Sequence, residues 1–266
     1  MRKNLTFISF IIIFGTLISG TSSADEIKAV SVVYPPYMFD GTNGGDWGSA
    51  IEITQEIFKK AGHTMTVQIC PWKRAVNYIQ AGNRDAIFIY GITDDDPVGP
   101  NGPVVFPEEP IAMLTISFAV LKNSTWTYNG IDSLKKIKLG TILGYSWEDP
   151  ELMKYMNNTP DPAVQALSGG TGVTERSLRK LLKGRMDAYI DSTDTMMYEA
   201  KRIKVNDQIK FVSQLPQKSA QYVCFSPINK KSRSYAQIFD EGIRAMRKSG
   251  ALQDILTKYG IKDWVE

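Results

Sequence analysis

Histidine and cysteine are scarce in this chain of 266 residues, which has one histidine, His63, and two cysteines, Cys70 and Cys224. A Ser- or Cys-based triad would have only His63 as its base. That residue follows a helix-ending glycine at the start of a strand, where a solvent-facing position is expected. One histidine and two isolated cysteines also fall short of a zinc site, so neither a metal nor a cofactor is expected. Glycine-rich phosphate loops of Walker or Rossmann spacing are missing. Net charge is small: 31 Lys+Arg against 28 Asp+Glu give +3. No basic face of the kind that nucleic acid requires is implied.

Long apolar runs are missing as well. Arg2 and Lys3 precede an apolar stretch from Leu5 to Ile18, shorter than the roughly 20 residues of a membrane span. Ser22-Ser23-Ala24 then supplies small residues at a cleavage site, so residues 1–24 read as a signal peptide cleaved near Ala24, with export to the periplasm. Without Arg2 and Lys3 the 31 cations become 29, nearly balancing the 28 anions. In an oxidising compartment a Cys70–Cys224 disulfide is open. Each cysteine lies in an apolar, strand-like run, where a small buried hydrophobe fits better.

Periodicity divides the rest into alternating strands and helices. A strand from Ile27 to Val33 runs into Tyr34-Pro35-Pro36-Tyr37. Ser49 then opens a helix with Glu52 at capping-box spacing, buries Ala50, Thr54, Ile57, Phe58 and Ala61, and stops at Gly62. Thr64 to Asp96 holds a complete strand–helix–strand unit: Met65, Val67 and Ile69 alternate, Pro71 suits the first helical position, Gly82 ends the helix, and Ala86 to Ile89 is the second strand. The apolar run Ile111 to Leu121 is long for one strand and is expected to cross into a second lobe. There Leu182-Lys-Gly-Arg-Met-Asp-Ala188 echoes Ala81-Gly-x-x-Asp-Ala86, a weak repeat that favours two similar lobes over one wide sheet. Two helices, Ser234 to Ser249 and Ala251 to Tyr259, close the chain and are expected to cover the first lobe, after a return near Lys218 to Tyr222. The expected fold is α/β, with two open-sheet lobes joined by two crossing segments around a cleft. Lobe 1 takes residues 25–112 and 219–266, and lobe 2 takes 113–218.

Ligands of open α/β sheets bind beyond the carboxyl ends of the strands. Tyr34, Tyr37, Trp72, Tyr90, Tyr145 and Trp147 all fall at such ends, and aromatics at one level of both lobes suit a small ligand with a flat, apolar or cationic part. The acids Asp94-Asp95-Asp96 and Glu108-Glu109 provide carboxylate pairs, which in loops are more often solvated than catalytic.

From Asp25 onward the chain resembles the extracytoplasmic solute-binding proteins of family 3, the two-lobed binders that serve polar amino-acid uptake. The resemblance rests on Tyr34-Pro-Pro-Tyr37, the Gly48–Gly62 helix, Pro71-Trp72-Lys-Arg74-Ala75, the two Gly-x-x-Asp-Ala segments, Lys138-Leu-Gly-Thr-Ile-Leu-Gly144-Tyr-Ser146 and the terminal helix pair. It implies a monomer that closes around a small polar ligand and presents it to a membrane transporter or a sensor partner. It also implies a ligand-binding set of Tyr34, Tyr37, Trp72, Arg74, Tyr90 and Gly91 from lobe 1. Lobe 2 would add Tyr145, Ser146 and Trp147 near a helix N-terminus, with Asp191 or Ser192 beyond a strand. Amino-acid binders of the family carry an arginine after the Gly82-x-x-Asp85 strand, where this chain has Thr93-Asp94-Asp95-Asp96-Pro97. An amine, a hydroxylated compound or another polar metabolite therefore fits better than an α-amino acid. An enzyme on the same scaffold, dehydratase- or lyase-like, is the alternative to a non-enzymatic binder.

Overall fold

The computed structural model describes residues 24–42, 45–91, 102–147, 149–216 and 218–265. The first half runs β1 (Glu26–Ser31), α1 (Ser49–Lys60), β2 (Thr64–Ile69), α2 (Trp72–Gln80), β3 (Ala86–Gly91), β4 (Ala112–Leu114) and β5 (Ile116–Leu121). Next come α3 (Ile131–Leu134), β6 (Leu139–Ile142), α4 (Pro150–Asn158), β7 (Val164–Leu167), α5 (Val173–Leu182), β8 (Ala188–Ser192) and α6 (Thr193–Arg202). The chain ends with β9 (Ile209–Val212), β10 (Ser219–Phe225), α7 (Ser232–Ser249) and α8 (Ala251–Lys258).

These strands form two five-stranded sheets, ordered β2-β1-β3-β10-β4 and β7-β6-β8-β5-β9. In each, three parallel strands are extended by two that join antiparallel. The two sheets match position for position, so the chain is a two-lobed α/β protein. The β2–α2–β3 unit straddles β1: its strands are parallel to each other but separated by the strand that both pair with.

The echo between the lobes has a physical cause. Gly82 and Gly184 both take positive φ, 71° and 63°, which lets each helix end in a tight left-handed reversal. Three residues on, Asp85 and Asp187 do the same job. The Asp85 backbone N–H donates to the Lys28 carbonyl (2.7 Å) while its carboxylate accepts from the Lys28 N–H (2.8 Å). Asp187 bonds Lys138 in the same two ways, at 2.8 and 2.7 Å. Each aspartate thus locks an incoming strand to the first residues of its neighbour.

The run Ile111–Leu121 divides at Thr115: β4 lies in the first sheet and β5 in the second. The return falls between β9 and β10, and Ser219–Tyr222 already pairs in the first sheet. Helices α7 and α8 pack with α1, as expected for cover of the first lobe. The α1–α7 contact is close: a Cβ on Gly242 would lie 2.4 Å from Ile57 Cγ2 and 3.1 Å from its Cβ. Gly242→Ala should therefore destabilise the fold. The helix-propensity gain of about 1 kcal/mol is outweighed by an overpacking cost of about 1–3 kcal/mol. A urea midpoint that rises in Gly242→Ala would refute this, and because Ile57→Ala removes the two Cγ atoms that the new methyl meets, the double variant should lose less than the two single losses added together.

Several local expectations are corrected. The Ser49–Glu52 capping box does not form. Gly48 is the cap of α1 without a side-chain bond, Ser49 is buried, and Glu52 accepts from Lys258 (2.8 Å) at the end of α8 and from the hydroxyl of Tyr259 (2.5 Å) just after it. Ala61 is exposed, because α1 ends before it. Pro71 caps α2 rather than beginning it, since its extended ψ of 145° precedes the first helical residue. His63 is buried, not solvent-facing. The reversal at Gly62 folds it back between Phe58 and Tyr235, where Nδ1 accepts the Asp25 backbone N–H at 3.1 Å. Both cysteines are buried and no disulfide joins them. Cys70 follows β2 and Cys224 lies on β10, with β1 and β3 between them. Three strand spacings of about 4.8 Å put them beyond the reach of a disulfide.

Candidate functional site

Two prolines halt the chain after β1 and fold Tyr34–Met38 into a turn, closed by bonds between the Tyr34 carbonyl and the N–H groups of Tyr37 (3.1 Å) and Met38 (3.0 Å). This turn aims two phenol groups from the first lobe at the second. Tyr34 donates to Asp191 Oδ1 at 2.9 Å, and Tyr37 donates to Asp194 Oδ2 at 2.8 Å. Asp191 is fully buried and takes three further donors: the Ser192 N–H on Oδ1 (2.8 Å), and on Oδ2 the hydroxyls of Tyr189 (2.5 Å) and Thr174 (3.1 Å).

Burial governs the proton affinities here. It pushes the Asp191 carboxyl up, with its donors pulling the other way. It also holds the phenols of Tyr34, Tyr37 and Tyr189 well above their ordinary range, and the neighbouring carboxylates add to this. Tyr145 is raised for the same two reasons.

Beside this junction the Val33–Asp40 loop faces the start of α5 and the end of α6 across a cavity of about 240 Å³. Tyr34, Phe39, Thr174 and Tyr198 supply rings and a hydroxyl to its wall, and Glu175, Glu199 and Arg202 supply charge. The charges are paired internally. Arg202 bonds Glu199 at 2.7 Å and also reaches Glu175, which Arg179 bonds at 2.8 Å. Asp40 accepts from the N–H (3.1 Å) and hydroxyl (2.6 Å) of Thr42, which hold its pKa below the usual range.

The residues expected from sequence fall into two groups and some outliers. Tyr34, Tyr37, Tyr145 and Trp147 form one aromatic chain with centroid separations of 6.2, 5.9 and 6.0 Å. Asp191 and Ser192 adjoin it as the last residues of β8, not beyond that strand. Trp72 and Tyr90 form a second group with Phe106 and Tyr222. Gly91 ends β3 opposite Gln221. Arg74 is exposed on α2, and Ser146 is exposed in the turn after β6. The helix after that turn starts at Pro150, and its N-terminus is capped by Asp149, whose carboxylate accepts the Leu152 N–H at 2.9 Å, so an acid already stands where an anionic ligand group was expected. Asp94–Asp96, and Ile92 and Thr93 before them, lie outside the described residues.

Sequence reasoning missed Thr174, Tyr189, Asp194, Phe39 and Tyr198. Asp194 sits three residues after Asp191 at the start of α6, a spacing that could have drawn attention to it. The others gain meaning only from contacts across the fold. Among the described residues there is no group of three or more His, Cys, Asp or Glu side chains that could hold a metal ion, and no helix long and apolar enough to cross a membrane.

Two matched α/β lobes meeting along a polar, aromatic junction define the two-lobed binding-protein fold. The family model for bacterial extracellular solute-binding proteins, family 3, matches residues 27–262, and the chain belongs to that family. No curated sequence matches it. Among solved structures, an ancestral arginine-binding protein bound to arginine is similar at 19% identity and TM-score 0.70, over 88% of this chain and 98% of the other. A histidine kinase sensor domain with similarity to periplasmic binding proteins matches at 17% identity and TM-score 0.70, over 90% and 98%. The probable amino-acid ABC transporter extracellular-binding protein ytmK from Bacillus subtilis matches at 18% identity and TM-score 0.69, over 91% and 100%. At these identities the likeness speaks for the fold.

Proposed function

We propose that the protein is a periplasmic solute-binding protein that closes around a small polar metabolite and delivers it to a membrane transporter without transforming it. The observation that carries this reading is the junction itself. Groups from strand ends of both lobes, Tyr34 and Tyr37 on one side and Asp191 and Asp194 on the other, meet directly beside a cavity. Closure of two lobes on a solute requires such meeting groups. In this reading the lobes divide close to residues 112 and 219. Tyr34, Trp72, Tyr90 and Gly91 contact the solute from the first lobe, Tyr145 and Trp147 from the second. The position of His63 supports binding rather than turnover, since the sole histidine is packed between Phe58 and Tyr235 within the first lobe. The likeness to a kinase sensor domain supports a second reading, in which the closed form is handed to a signalling partner.

A thermal-shift screen against polar metabolites tests this. A ligand at a hundred times its Kd stabilises the folded state by about 2.7 kcal/mol, which for lobes of this size raises Tm by roughly 5–10 °C. At least one amine, polyol or other small polar compound should do so. If every class leaves Tm unchanged, the reading fails. Micromolar binding of a simple α-amino acid would overturn its ligand class.

A further inference from the structure

Resting on that reading, we propose that Tyr34 sets the ligand range of the cleft by withholding Asp191 from it, so that the solute is uncharged and oxygen-rich rather than an amine. A carboxylate offers about four acceptor positions. On Asp191 all four are filled: Oδ1 by Tyr34 and the Ser192 N–H, Oδ2 by Tyr189 and Thr174. Two of these donors, Tyr34 and Thr174, are themselves part of the cavity wall. The carboxylate therefore lies behind the groups that bond it, and an ammonium in the cavity meets a phenol and a hydroxyl where it would need an anion.

The other carboxylates of the wall are engaged less completely than Asp191, both bonds to Asp40 falling on Oδ1. Glu175 and Glu199 share Arg202, and Asp40 is held by Thr42. With the lobes closed, as they are here, Tyr34 is held in place. Its ring stacks on Tyr37 at an interplanar angle of 23° and meets the edge of Tyr145, while Tyr37 is pinned in turn by Asp194. One donor in the same aromatic chain is unspent. The Trp147 indole N–H is buried and has no hydrogen-bond partner among the described residues. Trp147 is not part of the cavity wall, where the oxygens of Tyr34 and Thr174, their protons committed to Asp191, are left as acceptors for a hydroxyl on the solute.

Tyr34→Phe tests the assignment, because it removes one hydroxyl, keeps both ring contacts and opens Oδ1 toward the cavity. Calorimetry would compare the variant with the wild type against ethanolamine, putrescine, glycine and arginine as ammonium probes. The variant should bind at least one of them about tenfold or more tightly than the wild type, the size expected for a regained bond to a charged group. Circular dichroism and Tm would show that it folds. Should it not fold, Thr174→Val opens the other oxygen and takes the same measurement. A wild type that binds an ammonium probe as well as the variant does, or no gain in either variant, overturns the proposal. If uncharged solutes still raise the wild-type Tm in that case, this inference alone is lost; if no solute does, the reading beneath it is lost too.

Discussion

Replacing Asp191 with alanine is expected to cost about 3–5 kcal/mol of folding stability, the range seen when one partner of a buried polar network is deleted. The side chain accepts four hydrogen bonds at full burial, one of them from the opposite lobe. Alanine leaves three hydroxyls and a backbone N–H facing a cavity that supplies no acceptor, and each such donor costs about 1–3 kcal/mol when it finds no other partner. Rotation of the hydroxyls recovers part of that sum. Against a total stability of about 5–15 kcal/mol the loss is large, and Tm should fall by roughly 10 °C. Asp191→Asn should lose about half as much, since the amide keeps one carbonyl oxygen with two acceptor positions and turns a donor toward the rest. The check is a pair of guanidinium unfolding curves for the two variants beside the wild type. A loss below about 1 kcal/mol in Asp191→Ala would mean that water enters and satisfies the donors, and the inter-lobe bond would then carry little energy.

The contrast between what was legible in the sequence and what was not follows the range of the interactions. Gly82-x-x-Asp85 and its echo at Gly184 could be read because the reversal is local, and the aspartate then bonds the strand that the reversal delivers it to. The crossing inside Ile111–Leu121 was visible because an apolar run longer than one strand must serve two sheets. Failures came where a local rule lost to a distant partner. Ser49 and Glu52 have capping-box spacing, but Glu52 is claimed by Lys258 and Tyr259. His63 looked exposed because a polar residue at a strand start usually is, whereas Tyr235, far along the chain on α7, closes over it. The candidate site was legible in part. Tyr34, Tyr37, Tyr145, Trp147, Asp191 and Ser192 gather at one junction. Their pairing could not be read, because Tyr34 and Asp191 are 157 positions apart and nothing in their sequence neighbourhoods names the other. Arg74 was carried in by its place beside Trp72, and the helix turns it to solvent.

Alkaline pH should unfold the protein steeply, and the cause is the same junction. Burial first, then nearby carboxylates, hold the phenols of Tyr34, Tyr37, Tyr145 and Tyr189 above their ordinary pKa near 10. In the folded state they keep their protons, while in the unfolded chain they release them at about pH 10. Between those limits the folded state binds more protons, so stability is fully present below the unfolded pKa and declines as pH rises toward the folded one. Each tyrosine contributes a slope of about 1.4 kcal/mol per pH unit, and the four together roughly 5 kcal/mol per pH unit. Tyr128 and Tyr259, pushed up to about 12 chiefly by burial, add to the slope to a smaller extent because both are more open to solvent. A domain with about 5–15 kcal/mol in hand should therefore unfold within one to three units above pH 10. Denaturant midpoints measured at rising pH would show the decline, and phenolate absorbance should appear in two steps, the second coincident with loss of circular dichroism. Removing one phenol by Tyr34→Phe should shallow the slope by about 1.4 kcal/mol per pH unit. If Tyr34, Tyr37 and Tyr189, the three buried members, ionise near pH 10 with the fold intact, the junction opens freely in solution, and the hydrogen bonds from Tyr34 and Tyr37 are not what keeps the lobes together.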